Sequence, residues 1–304
     1  MSRVVDAEFS VPISFSPVDQ IIDIARGAEA AGFDRIVLPD SLFHPRRQDE
    51  DYPYTPDGSR MWDENTQWVE PLIASAAMGG ATSTIRFCPQ VLKVGPRNPL
   101  LLTRQVASVA LLTGNRLDLG VGIGWDPNEF EWCGAPFKGR GKRTDESLAI
   151  MRQALRGEWM EFHGQHFDFD ELIFTPAPSE QVPFYVGGHT EIALKRAARV
   201  GQGWTSAMMG YDEIVTTVRR LGELLEADGR SLADRGDGRP FAIQVVCLDR
   251  FGTRGFTELA EAGVTDIIVM PWMVDGHGFD CSTEQKLESI AAFGEKYGLG
   301  SSGH

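Results

Sequence analysis

A strand–helix–strand unit between Arg86 and Trp125 constrains the fold of this 304-residue chain more than any other feature. An apolar run at 85–94 is followed by Pro-Arg-Asn-Pro at 96–99, an amphipathic stretch, and Gly-Asn-Arg-Leu-Asp-Leu-Gly-Val-Gly-Ile-Gly-Trp at 114–125. Two strands joined by a helix run parallel. Three glycines, Gly120, Gly122 and Gly124, lie where the second predicted strand ends. Since parallel α/β proteins bind ligands at the carboxyl ends of their strands, this unit predicts both the fold and the position of the site.

The same alternation continues along the chain, with about eight predicted strands, nearly all followed by an amphipathic helix. At this length the pattern favours a closed (β/α)8 TIM barrel over an open sheet. No linker or shift of composition interrupts it, so residues 1–304 are predicted to form one domain. Aromatic and polar residues alternate around Gly164 at 162–174, which predicts a hairpin inserted in the second half. The polar and aromatic residues 41–66 show no periodicity and predict a long loop of functional importance.

Composition excludes several classes of function. The formal net charge of −14 argues against nucleic-acid binding and against an anionic membrane surface. No apolar run is long enough to cross a bilayer, and the amino terminus lacks a signal pattern. The four cysteines form no CxxC pair, and no histidine stands at metal-ligand spacing from them, so no metal site is predicted. A cytoplasmic, reduced protein is the simplest interpretation.

Glycines mark two candidate binding positions. The run Gly120-Val-Gly-Ile-Gly does not fit a dinucleotide fingerprint, because its spacing is wrong and Pro127 interrupts the following segment. We expect these glycines instead to let a flat ligand approach the backbone. Gly187 and Gly188 end a strand just before a helix that begins near Thr190. That arrangement suits either an anion at the helix start or a plain left-handed turn.

Polar residues follow two of the predicted strands. Asp40 ends a short buried strand and is followed by Ser41 and His44, whereas Asn128 and Glu129 follow the strand that ends in glycines. Barrel enzymes take catalytic residues from these strand ends, although an aspartate or asparagine there also caps a loop or a helix. Five tryptophans fall on or near the same loops and suit either a planar cofactor or simple space filling: Trp62, Trp68, Trp125, Trp132 and Trp272.

The ordered set of motifs resembles the bacterial-luciferase-like family of flavin- or deazaflavin-dependent oxidoreductases. The matching segments are Trp-Val-Glu-Pro-Leu at 68–72, Arg-Asn-Pro at 97–99, the glycine run at 114–125, Asn-Glu-Phe at 128–130, Gly-Arg-Gly-Lys-Arg at 139–143, Val-Gly-Gly at 186–188 and Gly-Gln-Gly-Trp at 201–204. The segment Gly-Ile-Gly-Trp-Asp-Pro-Asn-Glu-Phe at 122–130 is most similar to the subgroup that uses the deazaflavin coenzyme F420. FMN is the alternative cofactor.

The resemblance implies a barrel whose cofactor lies across the mouth, with its ring against a bulge in the third strand. That bulge is expected to hold a non-proline cis peptide at Gln90-Val91. By the same matching, the ring contacts would be Asp40, Gln90, Val91 and Asn128, and the cofactor phosphate would meet Gly187, Gly188 and Thr190. A homodimer is also implied, with the helices that begin at Val69 and Leu100 as candidate contacts, although their apolar residues could equally pack on the barrel.

The implied function is hydride transfer between coenzyme F420 and a small organic substrate. One departure separates this chain from the sugar-phosphate dehydrogenase branch, which has a histidine and a glutamate where this chain has Ser41 and Trp125. If a proton must move, the candidate catalytic residues are therefore Asp40, His44 and Glu129. Two alternatives stay open: an FMN-dependent monooxygenase, and a non-catalytic flavin- or deazaflavin-binding protein. A nicotinamide dehydrogenase is disfavoured by the motif spacing.

Overall fold

Parallel strands form a nearly closed barrel in the computed structural model, which describes residues 3–235 and 237–301. The predicted domain also includes Met1, Ser2, Gly236 and residues 302–304, which lie outside the described residues. The strands are β1 (Glu8–Pro12), β2 (Arg35–Leu38), β3 (Arg86–Pro89), β4 (Leu92–Lys93), β5 (Leu119–Gly122), β6 (Met160–His163), β7 (Asp168–Leu172), β8 (Phe184–Gly187), β9 (Gly203–Met209), β10 (Ala242–Cys247) and β11 (Asp266–Ile268). Nine of them belong to one sheet in the order β3-β2-β1-β11-β10-β9-β8-β5-β4, while β6 and β7 pair separately.

The sheet closes because β3 and β4 are two halves of one barrel strand. β3 pairs with β2, and β4 pairs with β5 on the other side. Phe87 of β3 also bonds to the segment entering β5: its amide donates to the carbonyl of Arg116 at 2.8 Å, and its carbonyl accepts from the Asp118 amide at 2.9 Å. Eight strand positions result, and the predicted (β/α)8 barrel is confirmed.

Helices follow nearly all of the barrel strands and cover the outside of the barrel. They are α1 (Ile21–Ala30), α2 (Pro71–Gly79), α3 (Pro99–Leu112), α4 (Pro127–Glu131), α5 (Arg140–Ala154), α6 (Glu191–Val200), α7 (Tyr211–Ala227), α8 (Gly252–Glu261), α9 (Pro271–Val274) and α10 (Thr283–Tyr297). Proline at the first turn and a side-chain cap begin both α2 and α3, where Glu70 and Asn98 accept bonds from amides of the first turn. No helix among the described residues combines the length and apolar character that a bilayer crossing demands.

The predicted inserted hairpin is confirmed as β6 and β7, between barrel strands β5 and β8. Its apolar face covers the end of α5 through Ile150, Ala154 and Met160. The turn is held by Glu146 of α5, whose carboxylate accepts the amides of Gln165, His166 and Phe167 at 2.8–3.2 Å. The hairpin is thereby anchored to α5.

A buried layer of charge lies inside the barrel. Arg35 of β2 pairs with Asp118 at 2.9 Å and also with Asp266. Ser10 and Gln244 donate further hydrogen bonds to Asp266, at 2.7 Å for the shortest contact of each. Burial alone would raise the pKa of Asp118, but Arg86 and Arg35 outweigh it and hold that pKa below its usual range. At Asp266 burial is the larger effect and raises the pKa despite Arg35.

Candidate active site

The third barrel strand is interrupted at its carboxyl end by a cis peptide bond between Gln90 and Val91, which confirms the expectation from the resemblance. The Gln90 amide nitrogen of the backbone donates to the carbonyl of Leu38 at 2.7 Å. Its side-chain Nε2 reaches across the barrel to the carbonyl of Ser206 at 2.7 Å. The interruption therefore forms a fixed part of the mouth, connected to both β2 and β9.

Glycines on the neighbouring strands make room for this bulge. A Cβ atom at Gly120 would lie 1.8 Å from the carbonyl oxygen of Pro89, and one at Gly122 would lie 2.5 Å from Cγ2 of Val91. At Gly187 it would lie 2.8 Å from Cγ1 of Val91. The expectation that the run at Gly120 and Gly122 leaves backbone open to a flat ligand is wrong, because the space beside these glycines is taken by the protein itself.

Asp40 is placed at the mouth as predicted, but its carboxylate is already bonded. It accepts from Nη1 and Nη2 of Arg97 at 2.7 and 2.9 Å and from the amide of Lys93 at 2.7 Å. Its side chain is only 1% exposed. A bidentate guanidinium pair with a third donor uses most of the acceptor capacity of a carboxylate. This geometry suits a positioning role better than proton transfer.

Glu129 forms a second buried ion pair next to the first. Lys93 Nζ lies 2.5 and 2.7 Å from its two carboxylate oxygens, and the amide of Leu42 donates to it at 3.1 Å. Burial raises the pKa of Glu129 more than Lys93 lowers it. Lys93 thus bonds to both Asp40 and Glu129 and holds the two carboxylates near each other. The sequence reasoning missed Lys93, although a lysine within the apolar run Val-Leu-Lys-Val at 91–94 was a visible signal.

Asn128 is buried and bonded to the long loop of residues 41–66, called here the mouth loop. Its side-chain Nδ2 donates to Asp49 at 3.1 Å, while its amide donates to Asp126, the cap of α4. Asp126 in turn pairs with Arg60 of the mouth loop at 2.9 Å, and both side chains are under a tenth exposed. Neither Asp49 nor Arg60 was identified from sequence, since both contacts join residues far apart in the chain.

Aromatic rings from the mouth loop meet rings from three other parts of the barrel. Tyr52 packs edge-on against Trp125 and Trp62, with ring centroids 5.4 and 5.1 Å apart. Tyr54 packs against His189 at 5.2 Å, and Trp62 contacts Trp68 at 5.8 Å. The mouth loop therefore crosses from β2 toward β5 and β8.

Three of the five predicted tryptophans, Trp62, Trp68 and Trp125, belong to this aromatic group. The other two do not. Trp132 is 63% exposed and stacks on Phe43, while Trp272 is fully buried beneath Lys286. Of the two alternatives that the sequence left open, space filling applies to Trp272, while Trp132 lies largely in solvent.

The two histidines near the mouth differ in their hydrogen bonding. His189 was missed by the sequence reasoning; its Nε2 accepts the amide of Ala207 at 3.1 Å, so the ring proton resides on Nδ1. Burial lowers the pKa of His189, which favours the neutral imidazole. His44, by contrast, has a buried Nδ1 with no hydrogen-bond partner among the described residues, and the same holds for Nε1 of Trp68. Buried polar atoms normally carry a hydrogen bond, so these two are unsatisfied by the protein alone.

The Gly187-Gly188 turn leads directly into α6. Gly188 has a φ of +116°, and its carbonyl accepts from Nε1 of Trp204 at 2.9 Å. Thr190 caps the helix by accepting the amide of Ala193 at 3.3 Å. The geometry is compatible with both interpretations that the sequence left open, a plain turn and an anion site at the first helical amides.

Comparison with known proteins identifies the family. Residues 5–248 match the sequence model of the luciferase-like monooxygenases. The chain belongs to the luciferase-like monooxygenase family. Among relatives of this luciferase-like protein, an uncharacterised protein of Mycobacterium tuberculosis is 41% identical over 248 residues, covering 82% of this chain and 83% of that protein. The F420-dependent glucose-6-phosphate dehydrogenase of Tsukamurella paurometabola is 30% identical over 191 residues, covering 60% and 52%.

Solved structures share the fold of this luciferase-like protein. The coenzyme F420-dependent tetrahydromethanopterin reductase of Methanopyrus kandleri has a TM-score of 0.71 at 16% identity, covering 96% of this chain and 98% of the reductase. The oxygenating constituent of 3,6-diketocamphane monooxygenase from Pseudomonas putida, solved with FMN, has a TM-score of 0.61 at 16% identity, covering 80% and 67%. At such identities the likeness concerns the fold alone.

Proposed function

We propose that this luciferase-like protein is an oxidoreductase that transfers a hydride between coenzyme F420 and a small organic substrate. The observation that carries the proposal is the break of the third barrel strand into β3 and β4, at the carboxyl end of the barrel and beneath an aromatic mouth. A relative 30% identical is itself F420-dependent. The deazaflavin supplies the hydride chemistry when bound, and the protein supplies position and environment.

The residues at the mouth fit a flat ring with a charged tail. Gln90, Val91 and Asn128 would contact the ring, and Gly187, Gly188 and Thr190 would hold the phosphate at the start of α6. Buried polar atoms without partners, Nδ1 of His44 and Nε1 of Trp68, are consistent with a ligand that completes the hydrogen bonding there.

His44 is the best-placed of the three predicted catalytic residues to move a proton. Its Nδ1 has no protein partner among the described residues, whereas Asp40 and Glu129 are held by Arg97 and Lys93. We assign Asp40 and Glu129 to positioning the third strand and α4 around the ring. His189 adds a neutral imidazole whose Nδ1 can donate to the bound cofactor or substrate.

Titration with both cofactors tests the proposal. We expect F420 to bind at least about tenfold more tightly than FMN, a difference of about 1.4 kcal/mol, followed by the fluorescence of each ring. Turnover would then be measured with a panel of small alcohols, aldehydes and enones. Tight FMN binding without F420 binding would contradict the cofactor assignment, and F420 binding without any turnover would favour the non-catalytic alternative.

An FMN-dependent monooxygenase is the second candidate. The structural likeness to an FMN-dependent monooxygenase favours it, since the same barrel holds that cofactor there. Oxygen uptake that depends on both reduced FMN and a substrate would establish this activity.

A non-catalytic binding protein is supported by the two carboxylates that are already paired, Asp40 and Glu129.

The mouth loop restrains Asn128 through Asp49, which accepts one N–H of its Nδ2 and so competes with a cofactor ring for that donor. Replacing Asp49 with alanine removes this competing bond. We expect cofactor affinity to rise about two- to tenfold, which corresponds to a net hydrogen bond of about 0.5–1.5 kcal/mol. The measurement is the dissociation constant from ring fluorescence.

Asp57→Ala is the matched control for this variant. Asp57 is also an exposed carboxylate of the mouth loop, but its bonds go to Ser59 of the same loop. We expect unchanged affinity in the control. Equal changes in the two variants, or weaker binding by the Asp49 variant, would show that the Asn128 contact does not limit access.

We further propose that the protein is a cytoplasmic homodimer. Supporting observations are four cysteines without a disulfide and large apolar side chains exposed on two adjacent helices, with Ile73 of α2 70% exposed and Leu101 of α3 69% exposed. Light scattering coupled to gel filtration measures the oligomeric state directly. A monomeric mass at micromolar concentration would contradict the dimer.

A further inference from the structure

A cavity lies at the end of the barrel opposite the mouth. Its volume is about 320 Å³, and it is lined by the end of α5 and by the segment that leads into β8. Helices of a (β/α)8 barrel end, and its strands begin, at the face remote from the catalytic loops. The cavity is therefore separate from the site described above, and its volume falls at the lower end of the range for ligand pockets.

Two arginines give this cavity a positive charge. Arg152 is fixed in place, because its Nη2 donates to the carbonyl of Val200 at 2.6 Å and to Oε1 of Gln202 at 3.0 Å. Its guanidinium also stacks 4.6 Å from the ring centroid of Phe184. Arg156 lines the same cavity and is exposed to solvent. Within the described chain neither arginine forms an ion pair.

Among the described residues no carboxylate forms an ion pair with Arg152 or Arg156. A third arginine, Arg230, is close by, and both of its Nη groups donate to backbone carbonyls rather than to a carboxylate. Burial, together with repulsion from Arg230 and Arg156, lowers the pKa of Arg152 to about 10. Glu180 also lines the cavity, but it is exposed and pairs with neither arginine among the described residues.

Such an excess of positive charge is unexpected in this chain, which has 43 acidic and 29 basic residues. An anion between Arg152 and Arg156 would relieve their repulsion and gain charge-assisted hydrogen bonds. Beside the arginines the cavity offers apolar surface from Leu155 and Phe184. The lining thus combines one charged and one apolar part, as in sites for small organic acids.

We propose that this cavity binds a small organic anion, with its carboxylate or phosphate group between Arg152 and Arg156 and its apolar portion against Leu155 and Phe184. The site is independent of the cofactor at the mouth. A ligand that binds the native state alone also stabilises it, so occupancy raises the midpoint of thermal unfolding.

Calorimetric titration of the full chain with benzoate and with phenyl phosphate, at constant ionic strength, tests the proposal. We expect saturable one-to-one binding of at least one of them, and the one that binds identifies the preferred acid group. Arg156→Gln is expected to weaken binding about tenfold or more, whereas Arg156→Lys, which keeps the charge, should weaken it less. Because Arg156 is exposed, neither variant should disturb folding.

Arg219→Gln is the control, since Arg219 is an exposed arginine of α7 away from the cavity. The affinity of the Arg219→Gln variant for the same anion should equal that of the original chain. The absence of saturable binding by both anions would overturn the proposal. Undiminished binding by the Arg156→Gln variant would overturn it as well, because the anion would then bind elsewhere, for example at the start of α6.

Discussion

Alanine in place of Gly120 is expected to prevent the barrel from folding stably. The added Cβ would lie 1.8 Å from the carbonyl oxygen of Pro89, which belongs to the backbone of β3. Overpacking of side chains typically costs about 1–3 kcal/mol because rotamers can adjust, but a backbone carbonyl cannot rotate away. We therefore expect a loss above about 4 kcal/mol in the free energy of unfolding. Urea unfolding, followed by tryptophan fluorescence, measures it.

Gly80→Ala provides the matched control. Gly80 ends α2 with a φ of −71° and a ψ of −15°, and its added Cβ would find its nearest neighbour at 3.6 Å. This variant should be within about 1 kcal/mol of the original chain or slightly more stable. A Gly120→Ala protein that unfolds at the same urea concentration as the control would refute the packing of Pro89 against β5.

Replacing Arg35 with methionine is expected to cost about 3–5 kcal/mol of stability at neutral pH. Arg35 is the cation that contacts both Asp118 and Asp266 inside the barrel. Without it, Asp266 would be a buried carboxylate with no basic partner, and Asp118 would retain only Arg86. Breaking a buried ion pair is costly because the remaining charge stays away from water.

This loss should depend on pH in a defined direction. In the original chain the pKa of Asp118 is depressed, so its contribution is present above the unfolded value near 3.8 and is lost as the pH falls below it. The pKa of Asp266 is raised in the folded state. Stability therefore falls as the pH rises from the unfolded value near 3.8 to the raised folded value. Loss of Arg35 would raise the pKa of Asp118 from its depressed value and raise the pKa of Asp266 still further. The difference between variant and original should therefore be larger at pH 8 than at pH 5.

Two comparisons separate this effect from simple loss of packing. Adding Asp266→Asn to the Arg35→Met variant removes one uncompensated charge and should restore part of the lost stability. Arg26→Met, which removes an exposed arginine 3.8 Å from Asp23, should change stability by less than about 1 kcal/mol. A small, pH-independent loss in the Arg35→Met variant would mean that the buried charges are compensated in another way.

Local patterns in the sequence located most of the barrel. The last helix is predicted at 283–297 and observed at Thr283–Tyr297, because its apolar periodicity and its serine cap are both local signals. The residues Trp204 and Thr205 predict only a very short strand there, yet β9 spans Gly203–Met209. Its residue Thr205 faces the inside of the barrel and bonds to Gln244 at 2.8 Å. A polar barrel interior gives no apolar alternation to detect.

The candidate site was predictable in position but not in chemistry. Asp40 and Glu129 were identified because they follow strands, and both lie at the mouth. Their partners could not be inferred, since Arg97 is 57 residues from Asp40 and Lys93 is 36 residues from Glu129. Such pairings depend on the closure of the barrel and leave no local pattern. The catalytic and cofactor-binding roles themselves stay predictions.

Lys93 bonds to two carboxylates through two different groups, its backbone amide and its side chain. Its bond to Asp40 comes from the main chain, which every amino acid except proline provides, whereas its bond to Glu129 requires a long cationic side chain. A change of residue type at this position would therefore remove the ion pair with Glu129 of α4 and leave the bond to Asp40 at the end of β2 in place. Substitutions at position 93 can therefore change the α4 side of the mouth while the β2 side keeps its contact.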